Sequence, residues 1–185
     1  MSEGGYQIRN QNAVHFITFS VIEWIDVFTR KMYADIIVDS LMFCQKNKGL
    51  NIHAWCLMSN HIHLIVSRNE PFTLSDFLRD FKKHTSSKIV KAIEENKSES
   101  RRNWMLWIFK KAGENNKRNE TYQFWQQDNH PIEYLTNEIL QSKLKYIHEN
   151  PVRAGIVRNE GEYVYSSGID YYTEEKGLVD IIFLN

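Results

Sequence analysis

Residues 54–66 read AWCLMSNHIHLIV, an apolar run broken by two histidines with one isoleucine between them. An extended strand turns successive side chains to opposite faces, so His61 and His63 share one face while Ile62 and Leu64 take the other. The aliphatic face belongs against a core, which commits this part of the chain to a sheet and sets the two imidazoles side by side on the sheet's other surface. Neutral imidazoles held in that way can grip one metal ion. They can equally be hydrogen-bonded polar residues at a sheet edge, so their reading depends on what the rest of the chain brings to them.

Around this segment the pattern alternates between strand and helix. Residues 14–21 are β-branched and aromatic and predict a first strand. Residues 30–46 place Tyr33, Ile36, Ile37, Ser40, Leu41 and Cys44 at helical spacing and stop near Gly49. Residues 51–57 and 62–67 predict a β-hairpin turning at Ser59 and Asn60. Thr73 or Ser75 caps a long helix to about Glu94, striped by Leu74, Phe77, Leu78, Phe81, Ile89 and Ile93. Residues 95–102 read as a linker or mobile loop, 104–109 as a short packed helix, 113–116 as a polar turn, 122–126 as a strand, and 132–135 as a short extended piece. A last helix starts at Thr136 or Asn137 and is expected to end by Glu149, ahead of Pro151. This order describes an α+β sandwich of helices on an antiparallel sheet.

The 185 residues suit one domain, 1–185, with 42% hydrophobic and 13% aromatic residues to fill its core. No apolar run approaches the roughly 18 residues of a membrane helix, and the first residues lack a signal-peptide pattern, so the expected location is cytoplasmic with no membrane partner. Cys44 and Cys56 are expected to be buried, reduced thiols. The net charge of +0 argues against indiscriminate grip on nucleic acid, but the signs are segregated. Lys82, Lys83, Lys88 and Lys91 share one helix, and Arg101, Arg102, Lys110, Lys111, Lys117 and Arg118 follow, while acidic residues collect towards the C-terminus. Trp104, Trp107, Phe124 and Trp125 lie near those basic residues; exposed, they would stack on unpaired bases, but core packing is the reading that tryptophan's usual burial favours.

The second chemical cluster is at 145–155, KYIHENPVRAG, where Tyr146 and Asn150 stand at i and i+4 on one helix face. Two imidazoles with the amide oxygen of Asn150 leave positions open on a divalent ion for a phosphate and water, a donor set that suits manganese better than magnesium. Tyrosine is a weak nucleophile at neutral pH because its hydroxyl titrates near about 10, and a nearby cation shifts that balance. Attack by Tyr146 would exchange one phosphodiester for another and store the strand for rejoining without a nucleotide cofactor. Taken alone, Tyr146 is a packing residue and Asn150 a helix-ending one. His15, His53, His84, His130 and His148 read as structural or substrate-proximal.

Together, the strand 14–19, the block 54–63, the region of Phe124, Trp125 and Gln126, and the run 146–155 resemble the single-tyrosine HUH transposases, REP-associated tyrosine transposase type. The resemblance covers residues 13–168. It implies a ferredoxin-like sandwich, its central antiparallel sheet presenting the histidines and its helices packed mainly on one face. It further implies Mg2+ or Mn2+ held by His61, His63 and Asn150, and attack by Tyr146 on single-stranded, hairpin-forming DNA to give a 5′-phosphotyrosine and a free 3′-hydroxyl. Lys82, Lys83, Arg101, Arg102, Lys110, Lys111 and Arg153 are the candidate DNA contacts, and members act as monomers or as homodimers. Residues 95–120 look like an insertion, and the tail 169–185 has no assigned role. Two alternatives remain: a catalytically silent DNA-hairpin binding protein of the same fold, which would bind without forming an adduct, and a metal-dependent hydrolase, for which Tyr146 would be dispensable.

Overall fold

The computed structural model describes residues 8, 10–114, 121–127, 131–133 and 136–184. Asn115, Asn116, Lys117, Arg118, His130, Tyr134 and Leu135, to which the sequence assigns a turn, basic charge, a structural histidine and part of an extended piece, lie outside those residues. Four strands, β1 (His15–Ser20), β2 (Leu50–Leu57), β3 (His61–Arg68) and β4 (Ile132–Glu133), form one antiparallel sheet in the order β2-β3-β1-β4. Helix α1 (Lys31–Asn47) links β1 to β2, and α2 (Leu74–Glu95) and α3 (Arg102–Glu114) lie between β3 and β4. Helix α4 (Asn137–Arg153) and the short α5 (Gly168–Tyr172) follow the sheet. The β-α-β-β-α-β order with β1 central is the ferredoxin-like arrangement.

Side-chain alternation divides the core into two layers. On one face Ile17, Phe19, Trp55, Leu57, Ile62, Leu64 and Val66 pack against Tyr33, Ile37 and Leu41 of α1, Phe77, Phe81 and Ile89 of α2, and Met105 and Phe109 of α3. On the other, Phe16, Ala54, Cys56 and Ile65 receive Ile147 of α4. Three long helices therefore cover one face and α4 the other. Local chemistry sets their ends. The Thr73 hydroxyl accepts from the Asp76 amide at 3.0 Å and starts α2. After α1 the chain turns at Gly49 with φ +62°, where a Cβ would lie 2.8 Å from the Phe72 ring and 2.9 Å from the Asn69 carbonyl.

Three expectations need correction. Helix α4 does not stop at Glu149 but runs through Pro151 to Arg153. Proline at this point removes one amide donor from the final turn, its ring is buried, and Gly155 at φ +70° then reverses the chain. Residues 122–126 are not a strand. Trp125 alone bridges Val21, because the segment's backbone is shared between the end of β1, where the Gln126 amide bonds to the Ser20 carbonyl, and the body of α3, where the Gln123 amide bonds to the Phe109 carbonyl. The linker expected at 95–102 does join α2 to α3, and it is anchored: the Glu99 side chain is fully enclosed and meets Arg30 at 3.1 Å and Arg101 at 3.2 Å. Trp104 and Trp107 are not core residues, at 50% and 58% exposure, since the helical repeat gives the inner face of α3 to Met105 and Phe109. Cys44 and Cys56 are free and buried, as expected.

The tail after α4 folds back along β2. The Ser167 amide bonds to the Trp55 carbonyl, the Leu57 amide to the Tyr165 carbonyl, and the Ile182 amide to the Ile52 carbonyl, each at 2.9 Å. His148 locks α4 to this strap through Nε2, 2.8 Å from the Ser167 hydroxyl. Burial pushes the His148 pKa down to about 4. The unfolded chain takes up that proton near about 6.5, so the neutral ring's contribution is complete above that pH and is withdrawn as pH falls through about 4. Urea unfolding measured from pH 7 to pH 4 is expected to show stability falling with acid. His148→Gln should flatten the fall by up to about 3 kcal/mol, from the size of the shift.

Candidate active site

The pairing of β1 with β3 sets Thr18 opposite His63 and Ser20 opposite His61. The Thr18 hydroxyl lies 2.7 Å from His63 Nδ1, and the Phe16 ring stacks on His63 at 5.5 Å between centroids. His61 stands edge-on to His63 at 4.7 Å. Helix α4 crosses this same face. Its Ile147 enters the core, and the preceding Tyr146 is thereby turned edge-on to His63 at 5.2 Å and to Phe16 at 6.2 Å. Tyr146 keeps 36% of its surface exposed, so the residue that meets His63 also faces solvent. One turn earlier, Lys143 Nζ sits 4.9 Å from the centre of Phe16 and 5.5 Å from that of Tyr146.

Asn60 assigns the tautomer of His61. Its Nδ2 donates to the Trp24 carbonyl at 3.1 Å, and a carbonyl can only accept, so the Asn60 oxygen is the atom 2.6 Å from His61 Nδ1. That oxygen also only accepts. His61 Nδ1 therefore carries the hydrogen and Nε2 presents its lone pair. Burial lowers the pKa of His61. It pushes that of His63 down to about 3, reinforced by the neighbouring His61 and by the Lys143 ammonium. Both rings are neutral at physiological pH, the form in which imidazole ligates metals.

The residues fit a divalent ion as an open site. His63 Nε2 is buried without a hydrogen-bond partner among the described residues, a cost that a ligand at that nitrogen would remove. Among the described residues no three His, Cys, Asp or Glu side chains cluster into a closed metal site, so two imidazoles are what the sheet offers. The Asn150 side chain is turned back on its helix, its Nδ2 donating to the Tyr146 carbonyl at 2.6 Å, and its amide oxygen is the atom that can serve a cation.

The basic residues named from the sequence are not gathered here. Lys82, Lys83, Arg101, Arg102, Lys110 and Lys111 belong to α2, α3 and the loop between them, whose helices pack on the opposite face of the sheet. Lys82 bonds to the Gln126 carbonyl at 2.6 Å, Arg101 pairs with Asp26 at 2.7 Å and with Glu99, and Arg102 reaches the Glu94 carbonyl at 2.8 Å. Lys83 and Lys110 are exposed, Lys111 lies 5.0 Å over the Trp107 ring, and Arg153 pairs with Glu149 at 2.7 Å. Sequence reasoning missed Thr18, Asn60 and Lys143. Thr18 shares the face of Phe16 by strand alternation, and Lys143 stands at i−3 from Tyr146; both signals were available.

The family model for the IS200-like transposases matches residues 10–110, more than half of the chain. The chain belongs to the IS200-like transposases, DNA nicking and joining enzymes. Among solved structures, that of the REP-associated tyrosine transposase bound to a REP hairpin superposes with a TM-score of 0.63 at 17% identity, covering 90% of this chain and 82% of that one. That likeness shows the fold. A Deinococcus radiodurans crystal structure described as a transposase gives a TM-score of 0.47 at 14% identity over 80% of this chain and 97% of that one, too low to carry an argument. No curated protein matches the sequence. The Asn60 geometry predicts that nitrogen-resolved NMR of the imidazoles finds His61 as the Nδ1–H tautomer, and that Asn60→Ala abolishes this preference without unfolding the protein.

Proposed function

We propose that this chain cleaves and rejoins single-stranded DNA through a covalent bond to Tyr146, with a divalent cation held by His61, His63 and the amide oxygen of Asn150. The observation that carries this reading is the meeting, within one chain, of Tyr146 and His63 at 5.2 Å, with His61 alongside. The Tyr146 oxygen would attack phosphorus, forming a phosphotyrosine bond to the 5′ side while the bond to the 3′ oxygen breaks. The phenolic proton leaves, and the 3′ oxygen departs as a hydroxyl after taking up a proton. One phosphodiester replaces another, so the reverse attack by a 3′-hydroxyl joins a strand without nucleotide hydrolysis.

The chain's own residues divide the remaining work. Packing of Ile147 on the sheet positions the nucleophile on a rigid helix, which limits the orientations it must search. Lys143 supplies positive charge beside the Tyr146 ring, where it would attract a phosphate. Asn60 and Thr18 orient the two imidazoles through their Nδ1 atoms. The cation, when bound, would draw negative charge from the phosphate's non-bridging oxygens. The substrate proposed is hairpin-forming DNA, because the structural neighbour is bound to a REP hairpin and shares this fold.

The test uses labelled single-stranded oligonucleotides tiled across DNA flanking the gene, with palindromic segments included. The wild-type chain is expected to give a protein–DNA adduct that survives denaturant in Mn2+ or Mg2+ and is absent in chelator. Tyr146→Phe should bind the same oligonucleotides and form no detectable adduct; cleavage that persists in this variant, with no adduct in the wild type, would point to hydrolysis by water and overturn the reading. His63→Ala should lose the adduct and its stimulation by metal together.

A further inference from the structure

Trp24 and Glu23 precede the buried residue Ile25, and both adopt left-handed backbone, at φ +53° and +50°. Contact between a Cβ and its neighbouring carbonyl disfavours this conformation in any L-residue, and a bulky one rarely adopts it. Here two occur in succession. They are over-determined by their surroundings: the Trp24 amide bonds to the Val21 carbonyl at 3.0 Å, its carbonyl accepts from Asn60 at 3.1 Å, and Val21, Ile25 and Val27 on either side are buried. The side chain presented in this way is not packed away. Trp24 is 56% exposed, and its indole stands edge-to-face with His61 at 5.8 Å. Burial of the ring therefore does not account for the strain, whereas display of the ring beside the histidine pair does.

We propose that Trp24 is a stacking platform for a nucleobase adjoining the cleaved phosphate. The inference rests on the strand-cleaving reading of the same site. A phosphate seated at the histidines carries its bases one sugar away on either side, and Trp24 occupies the flank of His61 while Tyr146 occupies that of His63. An exposed indole face accepts any base, since all have a π surface, so Trp24 anchors the strand without reading its sequence. Asn60 joins the platform to the site, because one amide group holds both the Trp24 carbonyl and the His61 ring.

The experiment separates display from packing through the backbone. Trp24→Gly removes the ring and relieves the left-handed strain, so its melting temperature should equal or exceed that of the wild type. Its Kd for an adduct-forming single-stranded oligonucleotide, measured by fluorescence anisotropy in chelator, should rise about 5- to 150-fold, the range of one lost base stack. Trp24→Tyr should restore most of the affinity. An abasic site at the nucleotide beside the cleaved bond should weaken wild-type binding by a similar factor and Trp24→Gly binding by little more. Wild-type affinity in Trp24→Gly, or abasic and Trp24→Gly losses that multiply at every position near the cleaved bond, overturns the stacking role and leaves the cleavage reading standing. A lowered melting temperature in Trp24→Gly with no rescue by Trp24→Tyr identifies a packing residue and overturns it too. If the wild-type chain neither binds nor forms an adduct with any tile, both readings fall.

Discussion

The antiparallel pairing of β1 with β3 is the constraint on which the site depends. It fixes Phe19 opposite Ile62, Thr18 opposite His63 and Ile17 opposite Leu64. A slip of β3 by one residue would send Ile62, Leu64 and Val66 out of the helix-covered layer and put the imidazoles in their place. Each of those large side chains is worth roughly 1.5–3 kcal/mol by burial, so the register is held by several kcal/mol of apolar packing. The chemistry on one face of the sheet is thus positioned by hydrophobic residues on the other.

Burial acts on the histidines through the same arrangement. The layer that receives Ile147 also takes His63 out of water, and desolvation keeps its ring neutral with a lone pair for a ligand. Nearby charge is apportioned along α4. Lys145 and Arg153 are drawn to Glu149, whereas Lys143 lies on the Phe16 and Tyr146 rings. One cation is thereby kept close to Tyr146, in contact with aromatic faces that attract it without neutralising it.

The parts legible in the sequence were those governed by strict periodicity. The two-residue repeat of β3 placed His61 and His63 together, and the i, i+4 spacing put Tyr146 and Asn150 on one helix. What periodicity does not encode is how two distant elements meet. That Tyr146 approaches His63 and Phe16 follows from the packing of Ile147, a long-range contact, and family resemblance rather than residue pattern joined the two clusters beforehand. The basic residues named as candidate DNA contacts do not adjoin the histidine pair, and Arg101 and Arg102 serve acceptors of the chain's own. The tryptophans of α3 looked like core by composition, yet the helical phase set by Met105 and Phe109 turned them outward. Nothing local announces Trp24, since its left-handed backbone is imposed by Asn60 and the buried residues around it.

The return of the tail along β2 has a consequence for assembly. β2 is a terminal strand of the sheet, and an open terminal strand invites another polypeptide to extend the ladder. Here the amide and carbonyl groups of Trp55, the amide of Leu57 and the carbonyl of Ile52 are already engaged by residues 165–167 and by Ile182. A second molecule could join the sheet at that border only by peeling away the chain's own C-terminal segment, which is anchored in turn to α4 through His148. The protein acts as its own blocking strand, and any self-association that leaves this fold intact must use a different surface.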